Sequence, residues 1–306
     1  MTKFRFRVDS RIATLLSQEY SSTERALKEL IDNAWDADAE QVRIDLPRPM
    51  TDDPIVIHDN GNGMTEEELR RHYLSIATDR RSMRGSRTSG KQRQIKGRKG
   101  IGKFAGLMAA EVMMLETKAN GWKSNLRFDL KDLADAQNIE QLPISHESRR
   151  CSEDLHGTSI TLTALHQGLA YPDPTKLKRI LLQDYGRHDD FEIIIDGKRL
   201  GIDDVSGAYT QQNATLPNAG PIDLRFAISD DRSGLRQPGI TIRVDGKAIG
   251  KPTFFGLEKC ESFPQKLLNK LYGEIDADGL QPHVRASWDS LFENSELLQE
   301  LDAYVL

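Results

Sequence analysis

Residues 29–37 read Glu29-Leu30-Ile31-Asp32-Asn33-Ala34-Trp35-Asp36-Ala37, and the reading of this stretch decides the fold. Leu27, Leu30, Ile31 and Ala34 recur at i, i+3, i+4 and i+7, the spacing of an apolar stripe on an α-helix. Thr23 stands where a capping side chain is wanted, so a helix is predicted from there through Trp35. Glu29 and Asn33 then lie one turn apart on one flank. A carboxylate there can take a proton from an attacking water. An amide oxygen one turn away can ligate a hard cation such as Mg²⁺, whose other ligands would be phosphate oxygens and water. The same pair also reads as the solvated side of an amphipathic helix.

Two further segments carry chemistry. Ile55-Val56-Ile57 reads as a strand that runs into the turn Asp59-Asn60-Gly61-Asn62-Gly63. A carboxylate at a strand end can accept a hydrogen bond from an exocyclic amine, and glycines let the backbone turn closely beneath a flat ring. An ordinary Asx turn is the competing reading. Farther on, Gly97-Arg98-Lys99-Gly100-Ile101-Gly102-Lys103 precedes a predicted helix and would aim backbone N–H groups at phosphates. It is not a P-loop. Phe104 occupies the place of the Mg²⁺-binding Ser or Thr, and Ser89 to Lys96 is polar and basic rather than an apolar strand.

In this order the segments resemble the GHKL superfamily, named for gyrase, heat-shock chaperone, histidine kinase and MutL ATPases. That family carries an acid-bearing helix, an Asp-x-Gly-x-Gly turn, a glycine loop and a later strand with Gly-Thr. The last is present as Gly157-Thr158-Ser159-Ile160-Thr161. The resemblance spans roughly Glu24 to Leu162 and implies ATP and Mg²⁺ as ligands. It makes Glu29 the general base, Asn33 the Mg²⁺ ligand, Asp59 the adenine anchor and Thr158 its support. Gly63 and Met64 would line the base pocket, and Gly100, Ile101, Gly102 and Lys103 would hold the phosphates. Asp36, Ala37, Gly61, Lys99 and Phe104 complete the implied nucleotide set, although Asp36, like Asp32, also reads as a surface acid.

The wording of the motifs is most similar to prokaryotic heat-shock-chaperone-like ATPases and MORC proteins. Sensor histidine kinases are disfavoured, because they usually lack an acid at the position of Glu29. The stretch from Gly273 to Pro282 is similar to the end of the MORC second domain, which makes Arg285 the candidate to reach the γ-phosphate; an exposed loop arginine is the other reading. The implied fold is α+β: a Bergerat-type α/β sandwich with a mixed sheet and helices on one face, followed by a smaller α/β transducer-like domain. The boundary is expected at His188-Asp189-Asp190, giving domains 1–188 and 189–306.

Composition sets the outer bounds. A chain of 306 residues exceeds one comfortable core, and 38% hydrophobic with 29% charged residues describes a globular protein, neither disordered nor membrane-bound. The opening MTKFRFRVDS lacks the apolar core of a secretion signal. Cys151 and Cys260 make neither a disulfide framework nor a zinc spacing, so a reducing cytoplasm is expected. Net charge is −5, yet Arg80 to Lys103 is basic with no acid. That run, at about 78–99, reads as a mobile ATP lid, with a solvated loop and a nucleic-acid contact as alternatives.

Phe4 to Val8 reads as a strand and Arg11 to Tyr20 as a helix. Asp196-Gly197 and Asp245-Gly246 mark hairpin turns in the second unit. The tail Ser287 to Leu306 reads as a helix ending on Val-Leu, so the chain is expected to stop where a longer parent continues. The functional expectation is an ATP-gated switch that hydrolyses ATP to ADP, closes its lid and forms a homodimer. DNA clamping, chaperoning and bacterial antiviral defence all suit it. The rival is a nucleotide-dependent nucleic-acid-binding or protein-interaction module with little turnover.

Overall fold

The structure is a computed structural model that describes residues 22–74, 85–97, 102–135, 143–166, 171–230, 234–285, 290 and 296–306. The readings for Phe4–Val8, Arg11–Tyr20, the lid positions 78–84 and 98–99, and Gly100 and Ile101 lie outside them. The described chain divides into two compact units. The first runs to Ile180 and includes Asp190–Arg199; the second comprises Leu181–Asp189 and Leu200–Leu306.

The first unit opens with helix α1, Thr23–Asp36. Its cap is Ser22 rather than Thr23, with the Ser22 hydroxyl accepting the Arg25 amide. The expected stripe is the buried one: Leu27, Leu30, Ile31 and Ala34 are at most 2% exposed. An eight-stranded sheet lies beneath. Its strands are β1 Gln41–Asp45, β2 Ile55–Asp59, β3 Ala110–Ala119, β4 Trp122–Asp129, β5 Ser145–Arg150, β6 Gly157–Leu165, β7 Glu192–Ile195 and β8 Lys198–Arg199. They are ordered β5-β4-β3-β6-β2-β1-β7-β8. All pairs are antiparallel except β1 with β7, so the sheet is mixed.

Period-two alternation buries one face of this sheet. Val42, Ile44, Ile55, Ile57, Met113, Leu115, Ile160 and Leu162 point into the core, while Arg43, His58, Glu116 and Ser159 point outward. The helix expected from Ile101 is a 3₁₀ segment, Gly102–Met108, whose Phe104 and Leu107 enter the same core.

The sheet continues past the boundary expected at residue 188. β7 and β8, read as the start of the second domain, are hydrogen-bonded onto β1, and Ile193 and Ile195 are buried there. The physical reason is that β1 has an open edge and the Ile193/Ile195 face needs a core. The hairpin turn itself is as read. Asp196 and Gly197 have φ of 50° and 77°, the paired positive values of a type I′ turn.

The second unit is built on five strands: β9 Gly207–Leu216, β10 Gly220–Ser229, β11 Gly239–Val244, β12 Lys247–Thr253 and β13 Leu271–Asp276. They are ordered β12-β11-β13-β10-β9, with β11 and β13 parallel. Ile222, Leu224, Ile240, Ile242, Val244 and Ile275 form its apolar face, and Leu301 of the closing helix Glu296–Val305 is buried in the same cluster. Asp245 and Gly246 again take positive φ, 49° and 74°.

Candidate functional site

In the first unit, the end of α1, the bend after β2 and the hairpin at 85–97 surround a cavity of about 530 Å³, within the usual range for small-molecule sites. Asn33, Asp36, Ala37, Asp59, Gly63, Met64 and Thr158 all contribute to its wall. Residues from three separate segments of the sequence therefore meet at one place.

Asp59 ends β2 with its side chain on the inner face, 7% exposed. Its Oδ1 accepts the amides of Gly61 at 2.9 Å and Thr158 at 3.3 Å. The Asx turn is thus real, and it uses one carboxylate oxygen. Burial pushes the Asp59 carboxyl up to about 6, against those two hydrogen bonds and the charge of His156.

Glycine is required at two points of this bend. Gly63 has φ of +65°, and a Cβ there would lie 1.9 Å from the Lys118 carbonyl oxygen. Gly157 has φ of +109°, and its Cβ would lie 2.2 Å from the Asp59 carbonyl oxygen.

Asn33 presents its amide to the cavity, and its Nδ2 is buried with no hydrogen-bond partner. Glu29, one turn earlier and half-buried, does not line the cavity. Gly61 and Gly102 stand outside the wall as well. Two residues grouped with the phosphates have other surroundings. Phe104 is fully buried, its ring edge-on to Tyr73 and Phe128 at centroid distances of 5.7 and 5.3 Å. Lys103 is 2% exposed, and its ammonium donates to the His72 carbonyl at 3.0 Å. An apolar ring and a long methylene stem both favour the core over the wall here. Lys99, Gly100 and Ile101 lie outside the described residues. Arg285 belongs to the second unit, exposed after the 3₁₀ segment Asp278–His283, with its amide donating to Ser290.

Part of the basic stretch expected as a mobile loop is a hairpin. Thr88 and Ile95 amides donate to Arg93 and Ser86 carbonyls at 2.9 and 3.0 Å. Carboxylates at the end of α1 hold it. Asp36 accepts the Lys96 and Gly97 amides at 2.8 and 2.9 Å; Asp38 accepts those of Gly90 and Lys91 at 2.8 and 3.1 Å. Burial raises the Asp38 carboxyl, but hydrogen bonds from Thr88, Gly90 and Lys91 and the charge of Arg93 outweigh it and hold it below the usual range. Arg93 is 6% exposed between the Trp35 and Phe191 rings, donating to the Ala39 carbonyl at 2.6 Å and to Asp190.

Sequence reasoning placed Arg87, Thr88 and Gln92 of the cavity wall only within the lid at about 78–99, and missed Thr117 behind the cavity. Thr117 carried a signal. As a polar residue on the inward register of an apolar strand, it needed a buried partner.

Residues 20–158 match the family described as Histidine kinase-, DNA gyrase B-, and HSP90-like ATPase. The match supports a GHKL-type ATPase domain over these residues. The GHKL domain indicates ATP binding and hydrolysis as the family's activity. Over 86 residues the chain is 42% identical to HgiDII of Herpetosiphon aurantiacus, described as a candidate type II restriction enzyme; the match covers 28% of this chain and 13% of that protein. It is 26% identical over 212 residues to the chaperone protein HtpG of Wolinella succinogenes, covering 63% of this chain and 32% of HtpG. The chain thus spans less than a third of the length of either relative. Among solved structures it is similar to the ATPase region of Saccharomyces cerevisiae topoisomerase II, with 15% identity and a TM-score of 0.45 over 83% of this chain and 72% of that one. No described helix is long and apolar enough to cross a membrane.

Proposed function

We propose that the cavity binds ATP with Mg²⁺ and that the chain hydrolyses it to ADP and phosphate, as a nucleotide-gated conformational switch. The observation that carries this reading is a pair of under-used polar groups facing one cavity. Asp59 engages its backbone donors through Oδ1 alone, and the Asn33 amide has a buried N–H group without a partner. Leaving such a group unsatisfied costs about 1–3 kcal/mol, so both read as positions that a ligand completes.

Asp59 Oδ2 would accept the exocyclic amine of adenine, with Gly63 and Met64 walling the ring and Thr158 holding Oδ1 in place. Asn33 would ligate Mg²⁺ through its amide oxygen, a hard ligand, in the flipped side chain that puts this oxygen where the buried N–H group stands; unflipped, that N–H group would donate to a phosphate oxygen instead. Among the described residues no cluster of three acids, histidines or cysteines offers a cation site, which suits a cation held mainly by phosphate oxygens. When bound, Mg²⁺ supplies neutralisation of phosphate charge. Glu29 would take the proton of a water whose oxygen bonds to the γ-phosphorus as the bridging bond to ADP breaks. The glycine loop, with Lys99 and Gly102, would hold the phosphates, and Arg285 would reach the γ-phosphate when two chains close as a dimer. The HtpG likeness supports a chaperone-like cycle; the HgiDII likeness supports one acting on DNA.

One observation favours a second reading, a nucleotide-gated binding module with little turnover: Glu29 stands off the cavity wall. Calorimetry with Mg·ATP and steady-state phosphate release, on wild type, Glu29→Ala and Asn33→Ala, test both. The hydrolase reading expects Glu29→Ala to bind ATP without turnover and Asn33→Ala to lose Mg²⁺-dependent affinity. Equal phosphate release from wild type and Glu29→Ala would leave only the second reading, and no nucleotide uptake by folded protein would end both.

A further inference from the structure

We propose that the hairpin at 85–97 is a fixed wall of the nucleotide cavity that presents Arg87 to the anionic end of the ligand, with Asp38 as its positioning residue. This rests on the nucleotide reading above. Arg87 is the one arginine or lysine among the described residues lining the cavity, where Asp36, Asp59 and Glu68 carry acids. A polyphosphate entering such a wall needs a cation, and Arg87 is exposed to receive it.

The geometry points to preorganisation rather than to a long arginine searching for its partner. One N–H of Arg87 donates to the Gln92 carbonyl at 2.7 Å, across its own hairpin. That aligns the guanidinium and leaves its remaining donors for an oxyanion. The hairpin is in turn fastened to the α1 end. Asp38, in a left-handed conformation with φ of 59°, accepts two consecutive amides at the tip, Gly90 and Lys91. Gly90 fits because a Cβ there would come within 2.8 Å of the Asp38 Oδ2. Thr88, 4% exposed beside Arg87, bonds to both Asp38 and the Arg93 amide, and Arg93 locks the returning strand. Two tip amides are tied to the α1 end and the Gln92 carbonyl to Arg87 itself, so ordering Arg87 on binding costs little entropy.

The test compares adenosine with Mg·ATP by calorimetry on the full chain, for wild type, Arg87→Gln, Arg87→Lys and Asp38→Asn. Arg87→Gln is expected to weaken Mg·ATP roughly 10- to 100-fold and to leave adenosine affinity unchanged, with partial recovery in Arg87→Lys. Asp38→Asn is expected to weaken Mg·ATP selectively too, and to speed amide exchange at Gly90 and Lys91 in the nucleotide-free protein by about tenfold or more. A merely structural role would lower adenosine and ATP affinity together. Wild type that binds both ligands, with Arg87→Gln losing both equally or neither, overturns the proposal and leaves the nucleotide reading intact. Unchanged exchange at Gly90 and Lys91 overturns the positioning role, and wild type that binds neither ligand removes both.

Discussion

Thr117 holds Met64 in place: the Thr117 hydroxyl oxygen, fully buried on β3, accepts the Met64 amide at 2.9 Å. The same hydroxyl lies 3.3 Å from both the Gly157 carbonyl and the Thr158 hydroxyl. One side chain thus joins the bend after β2 to the start of β6, behind the cavity. Replacing Thr117 with Val keeps its shape and strands the Met64 N–H. Stability is expected to fall by about 1–3 kcal/mol, and affinity for an adenine ligand with it, measured by urea unfolding and calorimetry. An unchanged midpoint would mean that Met64 finds another acceptor.

Asp59 gives the protein a specific dependence on pH. Its folded carboxyl, at about 6, lies above the ordinary 3.8. Below pH 3.8 both states hold the proton. Between there and about 6 the unfolded chain releases it first, so stability declines as pH rises, by about 3 kcal/mol at most. Asp59→Asn removes this decline. It is expected to make the nucleotide-free protein more stable than wild type at pH 7.5 but not at pH 3.5, while abolishing adenine binding, because an amide N–H₂ would face the amine. Denaturant titrations at the two pH values check it; a pH-independent difference counts against the assignment.

Glu24 behaves in the opposite sense. It is buried in α1, and its carboxylate accepts the Asp173 amide at 3.1 Å and the Lys176 ammonium at 2.7 Å. Burial raises its carboxyl, but the hydrogen bonds from Lys176, Ser22 and the backbone win and hold it at about 2. That stabilisation is present above pH 4.5 and is lost as pH falls toward 2. Glu24→Gln should therefore cost about 1–2 kcal/mol at pH 7 and next to nothing at pH 2. Thermal unfolding at the two pH values decides it.

Arg93 is expected to resist the change to lysine. Its planar fork reaches the Ala39 carbonyl and both the carboxylate and carbonyl of Asp190, while its plane lies 4.4 Å from the Trp35 ring centre. An ammonium cannot do this. Arg93→Lys should lower stability by about 2–3 kcal/mol, less than a fully buried pair because Asp190 is half exposed. It should also expose 85–97 to limited proteolysis. Retained stability and protease resistance would show the fork to be dispensable.

What could be read from the chain was whatever depends on neighbours in sequence. The stripe Leu27, Leu30, Ile31 and Ala34 announces α1, and the Asp-Gly pairs announce two hairpins, because side-chain period and turn chemistry are local properties. The order of Glu29–Asn33, Asp59–Gly63 and Gly157–Thr158 was enough to point to the GHKL superfamily, and Asn33, Asp59, Gly63, Met64 and Thr158 do share one cavity. Strands β5 and β9 were not legible. Both are edge strands with polar residues on both faces, so they carry no alternating signal.

Only the tertiary structure decided which distant groups meet. β7 joins the first sheet because β1 offers an open edge to a strand 151 residues away, a pairing that no local pattern encodes. Lys103 and Phe104 turn to the core although their motif suggests a ligand, since the 3₁₀ turn aims them at Tyr73 and Phe128. Asp36 also reads alone as a surface acid; with Asp38 it ties down a basic hairpin because folding brings four hairpin amides to the end of α1, where the two carboxylates accept them.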